Sequence, residues 1–117
     1  MDAADADRVF LIDVEIAGHP CIALFDSGCT SMVASPQLVK LAKLTTTRPK
    51  KPMNMTLADK SKVTITRVLN NTEVKVGTTS GDYNMVVAPI KYDMIIGLPW
   101  ITTNNTNVDW DKRFLSY

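Results

Sequence analysis

The segment of this sequence whose residue types and order point to chemistry is Asp26-Ser27-Gly28. A carboxylate placed directly after the apolar run Ala23-Leu24-Phe25 is costly at the end of a buried strand unless hydrogen bonds reach it. Gly28 permits a turn that bulkier residues resist and brings N–H groups toward the carboxylate, while the Ser27 hydroxyl can donate or accept. The chemistry open to a carboxylate held in this way is proton transfer. Taken alone, the tripeptide equally describes an Asx-turn at a strand end, and on three residues that reading is favoured. Other candidates are sparse. His19, the single histidine, falls in a turn with nothing nearby to orient it, and no function is assigned to it. Together with Cys21 and Cys29 it makes too small a ligand set for a closed zinc site, so no metal is expected. Asp93 and Asp109 have no Ser-Gly after them and read as structural or capping residues.

The elements around Asp26 follow from pattern. Val9 to Ile16 and Cys21 to Phe25 are rich in β-branched and aromatic residues, and Ala17-Gly18-His19-Pro20 between them predicts a hairpin turn. Ser35 stands as a capping hydroxyl before Pro36, and Leu38, Val39, Leu41, Ala42 and Leu44 follow at roughly helical spacing, predicting a short helix. A second hairpin is expected where Met53 to Leu57 and Val63 to Leu69 flank the polar stretch Ala58 to Lys62. Asn70-Asn71 and Gly77 to Gly81 punctuate strands near Glu73 to Val76 and Tyr83 to Ala88. An apolar strand then ends at Gly97, Pro99 opens a brief helix, and Val108 to Trp110 with Phe114-Leu115 closes the chain as a strand pair or an interface strand. These pieces predict a mainly β domain of about eight strands with one or two short helices, closed like a barrel.

The totals agree with one compact domain. The chain has 117 residues, 45% hydrophobic and 21% charged, which is ordinary globular composition. Thirteen Lys and Arg against twelve Asp and Glu leave a net charge of +1, too little to draw the whole chain to nucleic acid or an anionic membrane. A basic strip does exist, Lys40, Lys43, Arg48, Lys50 and Lys51 with no acid from Ser27 through Ala58, and without interleaved aromatics it reads as a solvated loop. The acidic start Met1 to Asp7 lacks the basic and apolar regions of a signal peptide, and no apolar run approaches the ~18 residues of a membrane span. A cytoplasmic, reducing setting with free thiols is therefore expected, and the Asn-x-Thr triplets at Asn54, Asn70 and Asn104 read as chance.

In context, Asp26-Ser27-Gly28 after an apolar strand, followed by Cys29-Thr30 and about 70 residues later by Ile95-Ile96-Gly97, resembles the retroviral-type (retropepsin-like) aspartic proteases. Tyr92-Asp93-Met94-Ile95-Ile96-Gly97-Leu98-Pro99-Trp100-Ile101, then Asn105 and Val108-Asp109-Trp110, is similar to the protease domains of gypsy-group long-terminal-repeat retrotransposons. The likeness runs from about Val9 to Trp110. It implies a retropepsin-like closed β-barrel with one lobe per chain, spanning residues 9–117 after a flexible arm at 1–8.

That resemblance also implies a mechanism. Such proteases use two carboxylates that share one proton, and this chain has one Asp-Ser-Gly, so the second carboxylate would come from another copy in a C2 homodimer. Asp26 would activate a water, Ser27 would brace the two loops, Gly28 would contact the substrate backbone, and Ile95, Ile96 and Gly97 would pack beside the loop. The hairpin Met55 to Val68 would correspond to the flap that closes over substrate, with its tip at Ala58, Asp59, Lys60 and Ser61; substrate would meet that tip together with Leu57, Cys29 and Thr30, with Val33, Leu57, Val63 and Val87 as apolar subsite candidates. The implied partner is an extended polypeptide, a Gag-Pol-type polyprotein inside a cytoplasmic particle, with no cofactor, no specific nucleic acid and no membrane. Three positions depart from the pattern: the flap has no glycine, Cys29 replaces a usual alanine, and Thr106 replaces a common proline. A domesticated, inactive copy serving as a dimerisation or peptide-binding module is the alternative.

Overall fold

Backbone pairing, read from a computed structural model that describes residues 10–56 and 60–104 and the backbone of 108–109 and 114–115, closes a six-stranded barrel. The strands are β1 (Leu11–Ile16), β2 (His19–Phe25), β3 (Met32–Ala34), β4 (Met53–Thr56), β5 (Lys62–Ile65), β6 (Val68–Val76), β7 (Thr79–Val87), β8 (Met94–Ile96), β9 (Val108–Asp109) and β10 (Phe114–Leu115). Two helices join them, α1 (Pro36–Leu41) and α2 (Leu98–Asn104). The barrel order is β1-β2-β8-β3-β7-β6, while β4 pairs with β5, and β9 with β10, as separate two-stranded ribbons. Among the described residues, no helix is long and apolar enough to cross a membrane.

The barrel is filled by one face of each strand. Val14, Ile16, Cys21, Ala23 and Phe25 alternate inward along the first hairpin and meet Val74, Val76, Met85, Met94 and Ile96. Phe25 stacks on Phe10 at 5.1 Å and tilts against Trp100 at 5.2 Å, so the strand that ends at Asp26 is anchored by three aromatic rings. The opposite face forms a second cluster, Val33, Ile65, Val86, Ala88 and Ile95, with Met55 and Val63 of the β4–β5 hairpin resting on it. This outer apolar layer is where the hairpin meets the barrel.

Several expected boundaries move, each for a backbone reason. Ala17 and Gly18 both take positive φ, 49° and 83°, giving a two-residue hairpin turn whose twist matches the strands. His19 and Pro20 therefore lie in β2, opposite Ile16 and Glu15, and not in the turn. Asn70-Asn71 does not end a strand. Asn71 adopts φ 46°, donates its N–H to Asn84 Oδ1 at 3.0 Å, and marks a register shift between Leu69 and Thr72 inside the continuous strand β6. The β6–β7 turn is correspondingly short, Val76 pairing with Thr79, instead of running from Gly77 to Gly81.

Helix α1 starts as its sequence requires. Buried Ser35 accepts a 3.1 Å hydrogen bond from the Leu38 N–H through its hydroxyl, and Pro36 follows at the first helical position. Ser35→Ala is expected to cost about 1 kcal/mol, seen as a Tm lowered by roughly 4 °C with an unchanged fold by circular dichroism. An unchanged Tm would show that the cap carries no stability.

Candidate active site

Asp26 sits where β2 ends. Its N–H donates to the Ile96 carbonyl at 3.0 Å, extending by one bond the parallel pairing of β2 with β8. The chain then turns: the Gly28 N–H donates to Asp26 Oδ1 at 2.9 Å and the Cys29 N–H to the Asp26 carbonyl at 3.1 Å. This is the Asx-turn that the tripeptide allows, and it fixes one oxygen of a half-buried carboxylate. A β-carbon on Gly28 would lie 3.2 Å from that same oxygen, so glycine keeps room for it.

The loop is clamped from the other side by β8 and α2. Leu98 N–H donates to the Cys29 carbonyl at 2.9 Å, and Gly97 packs so closely that a β-carbon there would stand 2.2 Å from the Ser31 carbonyl oxygen and 2.6 Å from that of Cys29. Strand β8 alternates its faces. Met94 and Ile96 enter the barrel core, while Ile95 joins the outer cluster beneath the hairpin. Asp93 completes the frame: its Oδ2 accepts from the Ile22 N–H at 3.0 Å and its carbonyl from the Ser35 N–H at 2.9 Å, the structural role expected of it.

Across from this loop lies the β4–β5 hairpin, and between them is a cavity of about 300 Å³. Gly28, Cys29, Thr30 and Ser31 form one wall, Met53, Asn54, Met55 and Thr56 the other, with Ile65 and Val86 beneath. Of the residues named from sequence for substrate contact, Gly28, Cys29 and Thr30 line this cavity; Ser31, Ile65, Val86 and the β4 residues Met53, Asn54, Met55 and Thr56 were not among them. Val86 shares the face of Val33 through their pairing in β3 and β7, a meeting of distant strands that alternation along either strand does not give. Of the apolar subsite candidates, Val33 and Val63 lie in the outer cluster without lining this cavity, whereas Val87 packs against the barrel core, on the opposite face. Asp26 is not among the cavity's lining residues; its neighbours Gly28 and Cys29 are.

The hairpin tip is only partly described. Leu57, Ala58 and Asp59 lie outside the described residues, as do the 1–8 arm, Asn105, Thr106 and Trp110. Lys60 and Ser61 are exposed, and Lys60 adopts φ 68°, supplying the left-handed residue that a glycine would otherwise provide. Ser27 is exposed.

Both cysteines are free. Burial pushes the Cys21 thiol up to about 12, with the Asp93 charge adding to it, and burial likewise raises Cys29, whose Sγ donates to the Ser31 carbonyl at 3.3 Å. Raised thiol pKa values mean less thiolate, the reactive form, at neutral pH. Iodoacetamide at pH 7 should therefore label the native protein far more slowly than free cysteine, with the Cys29 rate rising about ten-fold per pH unit until its pKa is passed. Fast labelling at pH 7, read by intact mass, would contradict this and give Cys29 the reactive character that its surroundings deny it.

A family model described as the PEG10/RTL1 protease domain matches residues 22–117, most of the chain and all of the site. A search of curated proteins returns no match.

Proposed function

The chain belongs to the family of the PEG10/RTL1 protease domain, a retropepsin-like domain derived from gypsy retrotransposons, and from that premise we propose that it is an aspartic endopeptidase acting as a homodimer. The observation that carries the reading is the fixed Asp26 carboxylate, tethered through one oxygen by the Gly28 N–H, its backbone held by Ile96, next to loop residues that wall the cavity beneath the β4–β5 hairpin. One such loop occurs per chain, so two copies supply the pair of carboxylates.

In the dimer the two Asp26 side chains share a proton. The ionised partner takes a proton from water as that water attacks the scissile carbonyl, and the protonated partner donates to the carbonyl oxygen. Collapse of the tetrahedral intermediate passes a proton to the leaving amine and restores the pair, with no covalent acyl-enzyme. The β4–β5 hairpin acts as the flap, laying substrate along the cleft as a strand and excluding bulk water. The substrate we propose is a Gag-Pol-type polyprotein in a cytoplasmic particle, a part of the reading that rests on family membership.

The test is digestion of a mixed peptide library from acidic to neutral pH, with cuts located by mass spectrometry and assembly followed by sedimentation. A shared-proton pair gives a bell-shaped profile in the acidic range, because full protonation removes the base and full ionisation removes the acid. A flat profile through neutral pH would count against the dyad. No cleavage by a protein that is dimeric at the assay concentration would favour a domesticated peptide-binding module instead.

A further inference from the structure

Charge is strongly segregated along this nearly neutral chain. Residues 27–72 contain eight Lys or Arg and a single acid, Asp59, whereas the remainder contains five Lys or Arg and eleven acids. The fold concentrates part of that excess at one place. Thr47 and Val68 form an isolated antiparallel bridge, their N–H groups donating to each other's carbonyls at 2.9 and 2.8 Å. The next pair outward across that bridge is Arg48 and Arg67, so the two arginines are set opposite one another. The Arg67 carbonyl also accepts from the Val87 N–H at 3.1 Å, which ties this edge to the barrel.

Like charges directly opposed across a strand pair repel, and an anion between them relieves the repulsion. Both side chains are exposed and both line a groove of about 490 Å³, framed by Pro49, Pro52 and Thr66. Among the described residues no acid pairs with either arginine. The groove meets the peptide cleft at Ile65, which lines both.

We infer that the Arg48–Arg67 groove is a docking site for an acidic segment of the polypeptide held in the cleft, an inference that rests on the peptide-binding reading of that cleft. Carboxylates suit the paired guanidinium groups, which can bind them bidentately. Single-stranded nucleic acid is the less fitting anion, since residues 27–72 contain no Phe, Tyr or Trp on which a base could stack.

The experiment uses the full chain carrying Asp26→Asn, so that bound peptide stays intact, and fluorescence anisotropy with three probes: a peptide with an apolar centre and a flanking Asp/Glu run, its Asn/Gln counterpart, and a single-stranded oligonucleotide of equal charge. The acidic peptide should bind about ten-fold tighter than the neutral one, a preference lost in Arg48→Gln/Arg67→Gln and kept in Lys40→Gln/Lys43→Gln, which removes equal charge outside the groove. Equal affinity for the two peptides in the parent protein would overturn the inference without recourse to any further variant. So would equal loss of preference in both double variants, or tighter binding of the oligonucleotide. Cleavage of the neutral peptide by the chain with Asp26 intact, run in parallel, reports on the protease reading separately.

Discussion

Asp26→Asn should abolish peptide cleavage, lowering kcat/KM by about 10³-fold or more, while the protein folds and melts nearly as before. The two halves of this expectation come from the same hydrogen bond. Asn offers an Oδ1 acceptor in the same place, so the 2.9 Å contact from the Gly28 N–H can survive and the loop keeps its turn. What is lost is the negative charge and the capacity to hold a mobile proton, and because one gene product supplies both halves of the proposed dyad, both are lost at once. Activity measured by mass spectrometry and Tm by calorimetry would separate the outcomes. Retained cleavage would remove Asp26 from the chemistry. Loss of both activity and fold would make the residue structural.

Gly97→Ala is the complementary case, a substitution that removes no titratable group yet should cost both stability and activity. The added methyl would stand 2.2 Å from the Ser31 carbonyl oxygen and 2.6 Å from that of Cys29, and both obstacles are backbone. Neither can swing aside as a side chain would, so β8 and the loop must separate. Overpacking of this kind costs on the order of 3 kcal/mol, or roughly a 10 °C fall in Tm. The same separation would lengthen the Leu98 N–H bond to the Cys29 carbonyl and loosen the wall of the cleft, so catalysis should fall further than stability alone requires. A Tm within 2 °C of the parent, by the same scale, would show that the loop has slack at this point.

The Asp26 loop and its support were legible because their signals are local and chemical. An acid after an apolar strand, a glycine two residues on, and a second glycine closing Ile95-Ile96 each demand a specific backbone arrangement, and the structure has all three. The Ser35 cap was legible for the same reason. Boundaries that depend on backbone handedness were not. Ala17 and Asn71 take positive φ without being glycine, so a turn appeared longer than it is and a bulge looked like a strand end. The cavity wall from Ser31, Ile65 and Val86 depends on which strands become neighbours, and β3 meets β7 across about fifty residues of intervening chain. The basic strip could be read as composition, but only the Thr47–Val68 bridge turns it into two opposed arginines.

The position of β8 sets a schedule for folding. It is hydrogen-bonded between β2 and β3, parallel to the first and antiparallel to the second, although Ile22 and Asp93, which meet beside it, are 71 residues apart. During synthesis the Asp26 loop is made early and its backing arrives late, so a nascent chain that stops short of Met94 has neither the Ile96 carbonyl nor Gly97 behind the carboxylate. Until then β2 and β3 present unpaired edges, the state in which strands pair with the wrong partner. Such distant pairing folds slowly. The Asp26 loop therefore takes its final form among the last parts of the domain, once β8 has docked between β2 and β3.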